Sequence, residues 1–404
     1  MSEKKSAPTL FFPYLMAGIL VLSAFILPSF SLRDSWPKVQ LVELLLPVYF
    51  VMVWLPLRNR EMPSMNTYLL ILALSLCSIL VSILANGRWM NIRDHFEEMK
   101  VIKFTLLMFF VILWFPRLNY RFLLETAFYL SLIFNFFHYV DLFGFNHTVE
   151  PLYGDEIQVS TFGLNSLGEP DTKRILGTMG NPNNNAVLFL FFSIFFFPEK
   201  GADLRKRIIF YVSVFAVFAC QSRTGFIALA VVYFLGAWLL HFSARNYFFD
   251  LLIFSGMYGV EILLGNIYIG SLAGNIMQQH SVRGRLETWK MLWEMIRLKP
   301  VLGYGPYKEY FYDNKIYPEN EYILYTWRYG FAGLLIYCWW LGYSVFTGWR
   351  DRQRRESINL LLFTVVMVIT AITNTPLTST YILIMFAILS GLYFAGKNPN
   401  VAIE

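Results

Sequence analysis

The sequence predicts an all-α, polytopic integral membrane protein. Hydrophobic residues make up 56% of the chain and charged residues only 15%, whereas a soluble domain carries about 25% charged residues. A bilayer-spanning helix needs about 20 mostly apolar residues, and about twelve segments approach that length. They lie near residues 9–30, 39–57, 66–86, 101–116, 121–143, 184–198, 207–221, 224–243, 246–265, 321–347, 357–374 and 377–396. The whole chain, residues 1–404, is therefore predicted to be one membrane domain.

The distribution of basic residues predicts the orientation of these helices. Short cytoplasmic loops of membrane proteins are enriched in Lys and Arg. If the N-terminus is cytoplasmic, every inside loop is basic and both termini are cytoplasmic. The basic residues on that side are Lys4, Lys5, Arg58, Arg60, Arg117, Arg121, Lys200, Arg205, Lys206, Arg207, Arg245, Arg350, Arg352, Arg354, Arg355 and Lys397. This anchoring pattern accounts for most of the net charge of +6, so the charge does not indicate nucleic-acid binding.

Two long loops, residues 144–183 and 266–320, then face outward, and we expect the chemistry there. The second loop contains the sequence SVRGRLETWKMLWEMIRLKP at residues 281–300. Its apolar residues recur at helical spacing on one face, and its charged residues occupy the other face. Tryptophans on such a helix indicate that it lies in the membrane interface.

The charged face of this helix leaves one arginine without a neighbour of opposite charge. Three pairs are expected at the i,i+4 and i,i+3 spacings. They are Arg283 with Glu287, Lys290 with Glu294, and Glu294 with Arg297. Arg285 has no carboxylate at these spacings, so it is available to bind an anion. The alternative is an arginine that extends to a lipid phosphate.

Three further sites on the outer side carry candidate residues. In CQSRTGF, Arg223 occupies a very short connection; near-membrane charges are functional candidates, and the alternative is a headgroup contact. In RILGTMGNPNNNA, the asparagines are expected to form a turn and a helix N-cap, which does not explain Arg174. After the amphipathic helix, Gly303 and Gly305 are expected to form a tight turn that places the helix against the rest of the loop.

The stretch from Glu319 to Glu321 begins the tenth apolar segment. Acidic residues favour a helix N-terminus, and Asn320 is suited to cap it. Arg328 follows inside the apolar part, seven residues after Glu321 and on the same side of the helix. Other acidic residues in or near apolar segments are equally available as its partner. They are Glu43, Glu125, Asp141, Asp250 and Glu261.

Arginines and a carboxylate in one place suit the chemistry of phosphate esters. The guanidinium group binds phosphate oxygens through two parallel hydrogen bonds. Arg174, Arg223 and Arg285, with Arg283 as a fourth candidate, would hold a pyrophosphate at the membrane surface. A nearby carboxylate would act as a general base for a hydroxyl. The sequence has no His-rich or CxxC motif, and Cys77, Cys220 and Cys338 lie in apolar segments as packing residues.

In their order along the chain, these motifs resemble those of the O-antigen polymerase and ligase superfamily of bacterial surface polysaccharide assembly. The matching pieces are GTMGNPNNNA, SRTGF, RGRLETWKMLWEMIRLKPVLGYGP, ENEY and YGFAGLLIY. The resemblance implies a glycosyltransferase of the bacterial inner membrane that needs no metal or other cofactor. Its expected partners are an undecaprenyl-pyrophosphate-linked glycan donor, a glycan acceptor, membrane lipids and a chain-length regulator. Arg223 and Arg285 match the superfamily's arginines, and Arg174 matches a less specific part.

One departure bears on the type of transfer. Ligases that attach the glycan to lipid A–core carry a histidine just before this asparagine, whereas this chain has Glu319. The pattern resembles polymerases, so we expect a polymerase with Glu319 as the base, Glu321 as the rival base and Arg328 as a buried partner. A ligase is the alternative within the superfamily. A transporter is the alternative of another class, although transporter sites lie near the bilayer midplane, and here the charges concentrate on the outer side.

Overall fold

The computed structural model describes residues 10–29, 39–58, 64–145, 147–148, 174–199, 203–240, 244–263, 280–314, 316 and 318–397. Over these residues the predicted all-α class is confirmed. The helices are α1 (Phe11–Phe25), α2 (Leu41–Leu44), α3 (Leu46–Leu57), α4 (Asn66–Ala85), α5 (Ile92–Trp114), α6 (Tyr120–Val140), α7 (Pro182–Phe195), α8 (Leu204–Ala219), α9 (Arg223–Leu239), α10 (Ala244–Leu263), α11 (His280–Leu298), α12 (Lys308–Asp313), α13 (Glu321–Arg350), α14 (Arg355–Thr370) and α15 (Thr380–Ala395). Short 3-10 turns lie at Phe115–Arg117, Leu142–Gly144, Gly177–Met179 and Pro376–Thr378.

Every predicted apolar segment contains a helix, and the second is divided into α2 and α3. Within the described residues, four helices are long and apolar enough to cross a membrane. They are Asn66–Ala85, Ile92–Arg117, Tyr120–Val140 and Glu321–Arg350. The structure therefore supports a multi-pass membrane protein. The number of about twelve crossings and the side on which each loop lies stay predictions.

Helix α5 begins at Ile92, whereas we predicted that its segment starts near residue 101. Asn91 caps it by accepting a hydrogen bond from the backbone N–H of Arg93 at 3.0 Å. The early turns carry Asp94 and Glu97, which are buried. The predicted segment left out this stretch because it is charged, but basic partners neutralise these carboxylates: Arg88 for Asp94, and Lys100, Lys308 and Arg328 for Glu97.

The centre of the bundle is α15, which is buried along most of its length. A helix that is apolar on all sides packs in the interior of a bundle. It lies against α5, where a Cβ at Gly391 would come within 2.6 Å of the Val111 side chain. Helices α14, α1 and α7 also contact α15, so it is packed on several sides.

Helix α13 is broken at Gly330, whose backbone has φ 64° and ψ −170°. The break frees backbone groups that must find partners away from water. The Trp327 carbonyl accepts from the Tyr304 N–H at 3.0 Å, and the Arg328 carbonyl accepts from the Gly305 N–H at 2.8 Å. The segment after α11 therefore fills the break in α13.

The predicted tight turn at Gly303 and Gly305 is present, with φ values of 62° and 80°. A Cβ at Gly303 would lie 2.5 Å from the backbone of Arg328, so only glycine allows this approach. The turn places the amphipathic helix α11 against α13. There Leu292 and Ile296 are buried, whereas Leu286 and Trp293 of the same predicted face are exposed, so the apolar face is confirmed in part.

Candidate functional site

Arg285 and Glu319 form an ion pair between the Nε of the guanidinium and Oε2 of the carboxylate. Side-chain exposure is 28% for Arg285 and 42% for Glu319. Arg285 has no carboxylate at the helical spacings, as predicted, but it is not unpaired, because its partner comes from outside its own helix. The partner lies 34 residues further along the chain, at the start of α13. The pair joins the predicted phosphate-binding arginine to the predicted base.

The backbone around Glu319 is held from two sides. Glu319 itself has a positive φ of 43°, which is uncommon for a residue with a side chain. The indole N–H of Trp289 donates to the Pro318 carbonyl at 2.6 Å. On the other side, the Asn320 amide donates to the Ile372 carbonyl at 3.0 Å. The predicted cap is confirmed, because Asn320 also accepts from the Ile323 N–H at 3.0 Å.

The loop of residues 371–375 joins several parts of this site. The Ala371 carbonyl accepts from the Glu321 N–H at 2.8 Å. The hydroxyl groups of Thr373 and Thr224 are hydrogen-bonded, which connects the loop to the first turn of α9 beside Arg223. Sequence reasoning missed this loop. Its signal was a short polar run between two apolar segments.

Arg174 is buried, and its Nε donates to the Cys220 carbonyl at 2.9 Å. Burial lowers the pKa of the Arg174 guanidinium to about 10, and the positive charges of Arg223 and Arg285 contribute in the same direction. Arg174 therefore lies within electrostatic reach of both Arg223 and Arg285, although the three arginines come from three separate motifs of the chain.

The asparagine-rich segment before α7 is a structural scaffold. Asn181 caps α7 by accepting from the Asn183 N–H at 2.8 Å, as the sequence predicts. The Asn185 amide donates to the Asn135 side chain at 2.8 Å and to the Ile175 carbonyl at 3.3 Å. These contacts fix the backbone directly after Arg174, so the segment positions that guanidinium.

Arg223 and Arg283 are both exposed. Arg223 is the first residue of α9, and within the described part of the chain its guanidinium forms no ion pair or hydrogen bond. Arg283 forms the predicted pair with Glu287 at 3.0 Å. Arg223 is therefore the freer of the two to bind an anion.

In the C-terminal half of α11, only one of the two predicted ion pairs is present. The expected pair of Glu294 with Arg297 is present at 3.4 Å. Between Glu294 and Lys290, both of which lie in the described region, no ion pair forms, because the carboxylate turns towards Arg297 instead.

Glu321 and Arg328, the two charged candidate residues within α13, do not pair with each other. Glu321 is fully buried and accepts hydrogen bonds from the Tyr337 hydroxyl at 2.9 Å and from the N–H groups of Leu377 and Thr378 at 3.2 and 3.1 Å. The guanidinium of Arg328 lies 3.6 Å from Glu97. The expected contact of Glu321 with Arg328 is not formed.

Glu97 was not among the predicted partners of Arg328. It lies in the charged early turns of α5 that the sequence analysis treated as loop. Lys100 and Lys308 also lie 2.9 Å from Glu97, so one carboxylate faces three cations. The predicted partners Glu43 and Glu125 pair instead with Lys103 and Arg205.

A second ion pair network fastens α12 to the start of α5. Arg88 pairs with Asp94 and, at 3.3 Å, with Glu309. The Arg88 guanidinium also lies 3.9 Å from the centre of the Tyr307 ring. Together with Lys308, these contacts hold the segment between α11 and α13 against the bundle.

The described residues contain no group of His, Cys, Asp and Glu side chains suited to hold a metal ion, and their three cysteines are unpaired. At one end of the helices of this multi-pass membrane protein, Arg174, Arg223 and Arg285 lie near the Glu319 carboxylate. This group of residues is the candidate site.

Comparison with known families agrees with this class. Residues 208–338 match the model of a family described as O-antigen ligase. The match confirms the resemblance to the O-antigen polymerase and ligase superfamily, and it includes Arg223, Arg285, Glu319 and Arg328, whereas Arg174 lies before it. No curated protein matches the chain.

Proposed function

We propose that the protein is a metal-independent glycosyltransferase that polymerises undecaprenyl-pyrophosphate-linked repeat units at the outer face of the inner membrane. The observation that carries the proposal is the ion pair of Arg285 with Glu319, within electrostatic reach of Arg174. The pair supports the proposal because an arginine, which suits phosphate binding, lies beside a carboxylate, which suits proton acceptance. Both residues lie in the region that matches the O-antigen ligase family.

The arginines supply the binding site for the pyrophosphate of the donor. Exposed Arg223 and half-exposed Arg285 reach the outside, while buried Arg174 adds positive charge behind them. Pyrophosphate oxygens compete with the Glu319 carboxylate for the Arg285 guanidinium, because both are bidentate acceptors. Donor binding thus releases Glu319 at the place where the reaction needs a base.

The transfer step balances with these groups alone. The hydroxyl oxygen of the acceptor glycan attacks the anomeric carbon of the donor and forms the new glycosidic bond. The bond from that carbon to the pyrophosphate oxygen breaks, and undecaprenyl pyrophosphate leaves with the electron pair. The hydroxyl proton passes to Glu319. The arginines stabilise the negative charge that develops on the leaving group.

Glu319 is favoured over Glu321 as the base. Glu319 has a carboxylate with 42% exposure, so an acceptor hydroxyl has access to it. Glu321 is fully buried, and three donors already occupy its oxygens. We assign Glu321 a structural role, in which it ties the start of α13 to the turn at Pro376–Thr378.

A ligase that transfers the chain to lipid A–core remains the alternative within the superfamily. The residue before Asn320 is Glu319 rather than the histidine of those ligases, and this difference favours polymerisation. A transporter fits less well, because these charges gather at one end of the helices and not near the midplane. The chain-length regulator and the cytoplasmic termini stay predictions.

Gel analysis of surface polysaccharide in a deletion strain separates the three functions. Loss of a polymerase leaves one repeat unit on its acceptor, loss of a ligase leaves none, and loss of a transporter leaves the full ladder. Complementation with Glu319→Gln should keep the deletion pattern. Glu287→Gln, an exposed carboxylate on α11 that pairs with Arg283, is the matched control and should restore the ladder. A full ladder in the deletion strain itself would refute both polymerase and ligase.

A further inference from the structure

A cavity of about 320 Å³ lies at the end of the bundle opposite the candidate site. Two helices show that the ends are opposite. Helix α8 starts beside the cavity near Lys206 and ends next to the Cys220 carbonyl that binds Arg174. Helix α14 starts at Arg355, which lines the cavity, and ends before the loop of residues 371–375. The cavity is therefore not part of the site described above.

The lining residues all lie close to helix ends. Arg121 and Glu125 are in the first two turns of α6, Asn359 is in the second turn of α14, and Leu389 and Leu392 are in the last two turns of α15. Two turns span about 11 Å, and lipid headgroups occupy roughly the outer 5–8 Å of each leaflet. In a membrane-spanning bundle, the cavity is thus at the depth of the headgroups and the first part of the acyl chains.

The charges around the cavity come in both signs. Two of its carboxylates are already paired, Glu125 with Arg205 at 2.5 Å and Glu199 with Arg355 at 3.4 Å. The remaining charged side chains in the lining are Arg121, Lys206, Asp203 and Glu356. Asp203 already caps α8 by accepting from the Lys206 N–H at 2.8 Å. This leaves two cations and the Glu356 carboxylate, an arrangement that suits a ligand with one group of each sign.

The wall of the cavity contains a buried hydrogen-bond acceptor, Oδ1 of Asn359, that has no hydrogen-bond donor among the described residues. Asn359 is only 4% exposed. Buried acceptors are almost always paired in folded proteins. The neighbouring guanidinium of Arg355 does not supply the donor. Its Nη2 is used by the carbonyl groups of Phe197 and Ile194 at 2.8 and 3.0 Å, and its Nη1, which likewise makes no hydrogen bond to any described residue, lies 3.4 Å from Glu199. Leu389 and Leu392 make the adjacent wall apolar.

We propose that this cavity binds the headgroup of a zwitterionic phospholipid with a primary ammonium group, of the phosphatidylethanolamine type. Arg121 and Lys206 contact the phosphate, and Glu356 contacts the ammonium. The ammonium also donates a hydrogen bond to the free Oδ1 of Asn359. The first carbons of the acyl chains pack against Leu389 and Leu392. This assignment is independent of the glycosyltransferase proposal.

The test compares phosphatidylethanolamine with two phospholipids that each lack one feature of its headgroup. The full-length protein is reconstituted into nanodiscs with mixed lipids, partly delipidated in detergent, and examined by native mass spectrometry for lipid that remains bound. We expect one phosphatidylethanolamine per chain, retained about tenfold better than the others, since hydrogen bonds to charged groups have that effect on affinity. Phosphatidylglycerol lacks the ammonium, and phosphatidylcholine lacks N–H donors. Equal retention of all three would overturn the proposal.

Variants locate the site. Arg121→Ala with Lys206→Ala removes the phosphate contacts, and Glu356→Gln removes a charge on the ammonium side; each should lower retention about tenfold. Arg352→Ala is the control, because Arg352 is an exposed arginine at the same end that does not line the cavity. If the cavity variants retain as much phosphatidylethanolamine as this control, the cavity is not the binding site and the proposal is wrong.

A soluble competitor distinguishes a lipid from a free headgroup. Glycerophosphoethanolamine has the same charged groups without acyl chains. If the apolar wall contributes, millimolar competitor should leave the bound lipid in place in the wild-type protein. Complete displacement at that concentration would show that the acyl contacts with Leu389 and Leu392 are absent, and would overturn the lipid assignment in favour of a free zwitterion.

Discussion

The guanidinium of Arg285 and the carboxylate of Glu319 are bound to each other across the junction of α11 and α13. In this structure the two candidate groups therefore bind each other, and neither is free to contact a substrate. The pairing also keeps each charge compensated at a half-exposed position where an unpaired charge would cost stability. In the proposed mechanism, pyrophosphate replaces the carboxylate at Arg285, so we expect substrate binding and activation of the base to be one event.

Replacement of Arg285 should therefore abolish most activity. Arg285→Lys keeps the charge but loses the two-pronged geometry that binds phosphate, and Arg285→Ala loses both. We expect either change to lower the rate about 10²–10³-fold, the cost of removing a charged contact made in the transition state. The measurement is polymer length on gels together with the amount of protein in the membrane. Arg297→Ala, on the same helix and paired only with Glu294, should be normal; a normal ladder from Arg285→Ala would contradict the assignment.

The two acidic residues at the start of α13 should respond differently to the same substitution. Glu319→Gln keeps size and hydrogen bonding but removes proton acceptance, so polymer should vanish while thermal stability is nearly unchanged. Glu321→Gln keeps one acceptor oxygen but presents an amide N–H₂ group to at least one of the three donors around it. A buried donor without an acceptor costs about 1–3 kcal/mol, so this variant should lose stability and only part of its activity.

Melting temperature and polymer formation by the purified proteins distinguish these outcomes. If Glu319 serves only to hold Arg285, Glu319→Gln should keep nearly full activity, since the amide still accepts a hydrogen bond from the guanidinium. A ladder of normal length with the variant present in the membrane would remove Glu319 from the mechanism.

The sequence predicted those parts of the fold and site that depend on local patterns. Apolar periodicity located α11 and the long helices, and the preference of asparagine for N-caps located the starts of α7 and α13 at Asn181 and Asn320. The glycines at residues 303 and 305 marked a turn. Each of these features depends on a few neighbouring residues, which a single sequence shows directly.

Long-range pairing was not predictable in the same way. Arg285 binds Glu319 and Arg328 binds Glu97, partners that are 34 and 231 residues away (328 minus 97). Helical spacing gives no information about such contacts, because they depend on which helices become neighbours. The charged early turns of α5 were left out of the predicted segment for a related reason. The burial of Glu97 depends in part on Lys308 and Arg328, which other helices supply.

Trp289 should act as a positioning residue for Glu319. Its indole N–H holds the Pro318 carbonyl at 2.6 Å, one residue before the left-handed backbone of Glu319. Trp289→Phe removes this hydrogen bond but keeps most of the ring. We expect kcat to fall several-fold to about tenfold, as the loss of one hydrogen bond predicts, with KM for the lipid-linked donor unchanged.

Trp293→Phe, on the same helix and 41% exposed, is the control for Trp289→Phe and should be neutral. An increase in KM without a change in kcat would mean that Trp289 contacts the substrate instead of positioning the base.

Orientation is tested by placing single cysteines at two exposed positions in a background without the native thiols. Asn314, which follows α12, and Arg352, between α13 and α14, are both exposed. The basic-residue pattern predicts that Asn314 lies outside and Arg352 in the cytoplasm. An impermeant thiol reagent should therefore label Asn314→Cys in cells with a permeabilised outer envelope, and Arg352→Cys only after lysis. The reverse pattern would invert the predicted topology.

The break in α13 should be the position at which a single methyl group does most harm. At Gly330 the backbone has φ +64°, and a Cβ would lie 2.1 Å from the Val301 carbonyl oxygen. Neither group has room to move, because the Phe331 N–H donates to the Pro300 carbonyl at 2.8 Å directly beside it. Gly330→Ala must therefore displace the segment after α11, and with it the helix that carries Arg285.

We expect Gly330→Ala to lower the unfolding free energy by about 2–4 kcal/mol, the sum of an unfavourable φ and overpacking, and to reduce polymerisation. Gly342→Ala in the same helix is the matched control, because nothing lies within 4 Å of a Cβ there. That change should be neutral or stabilising by about 0.5–1 kcal/mol through helix propensity. Thermal unfolding in detergent measures both variants. Equal melting temperatures would show that the segment after α11 does not fill the break in α13.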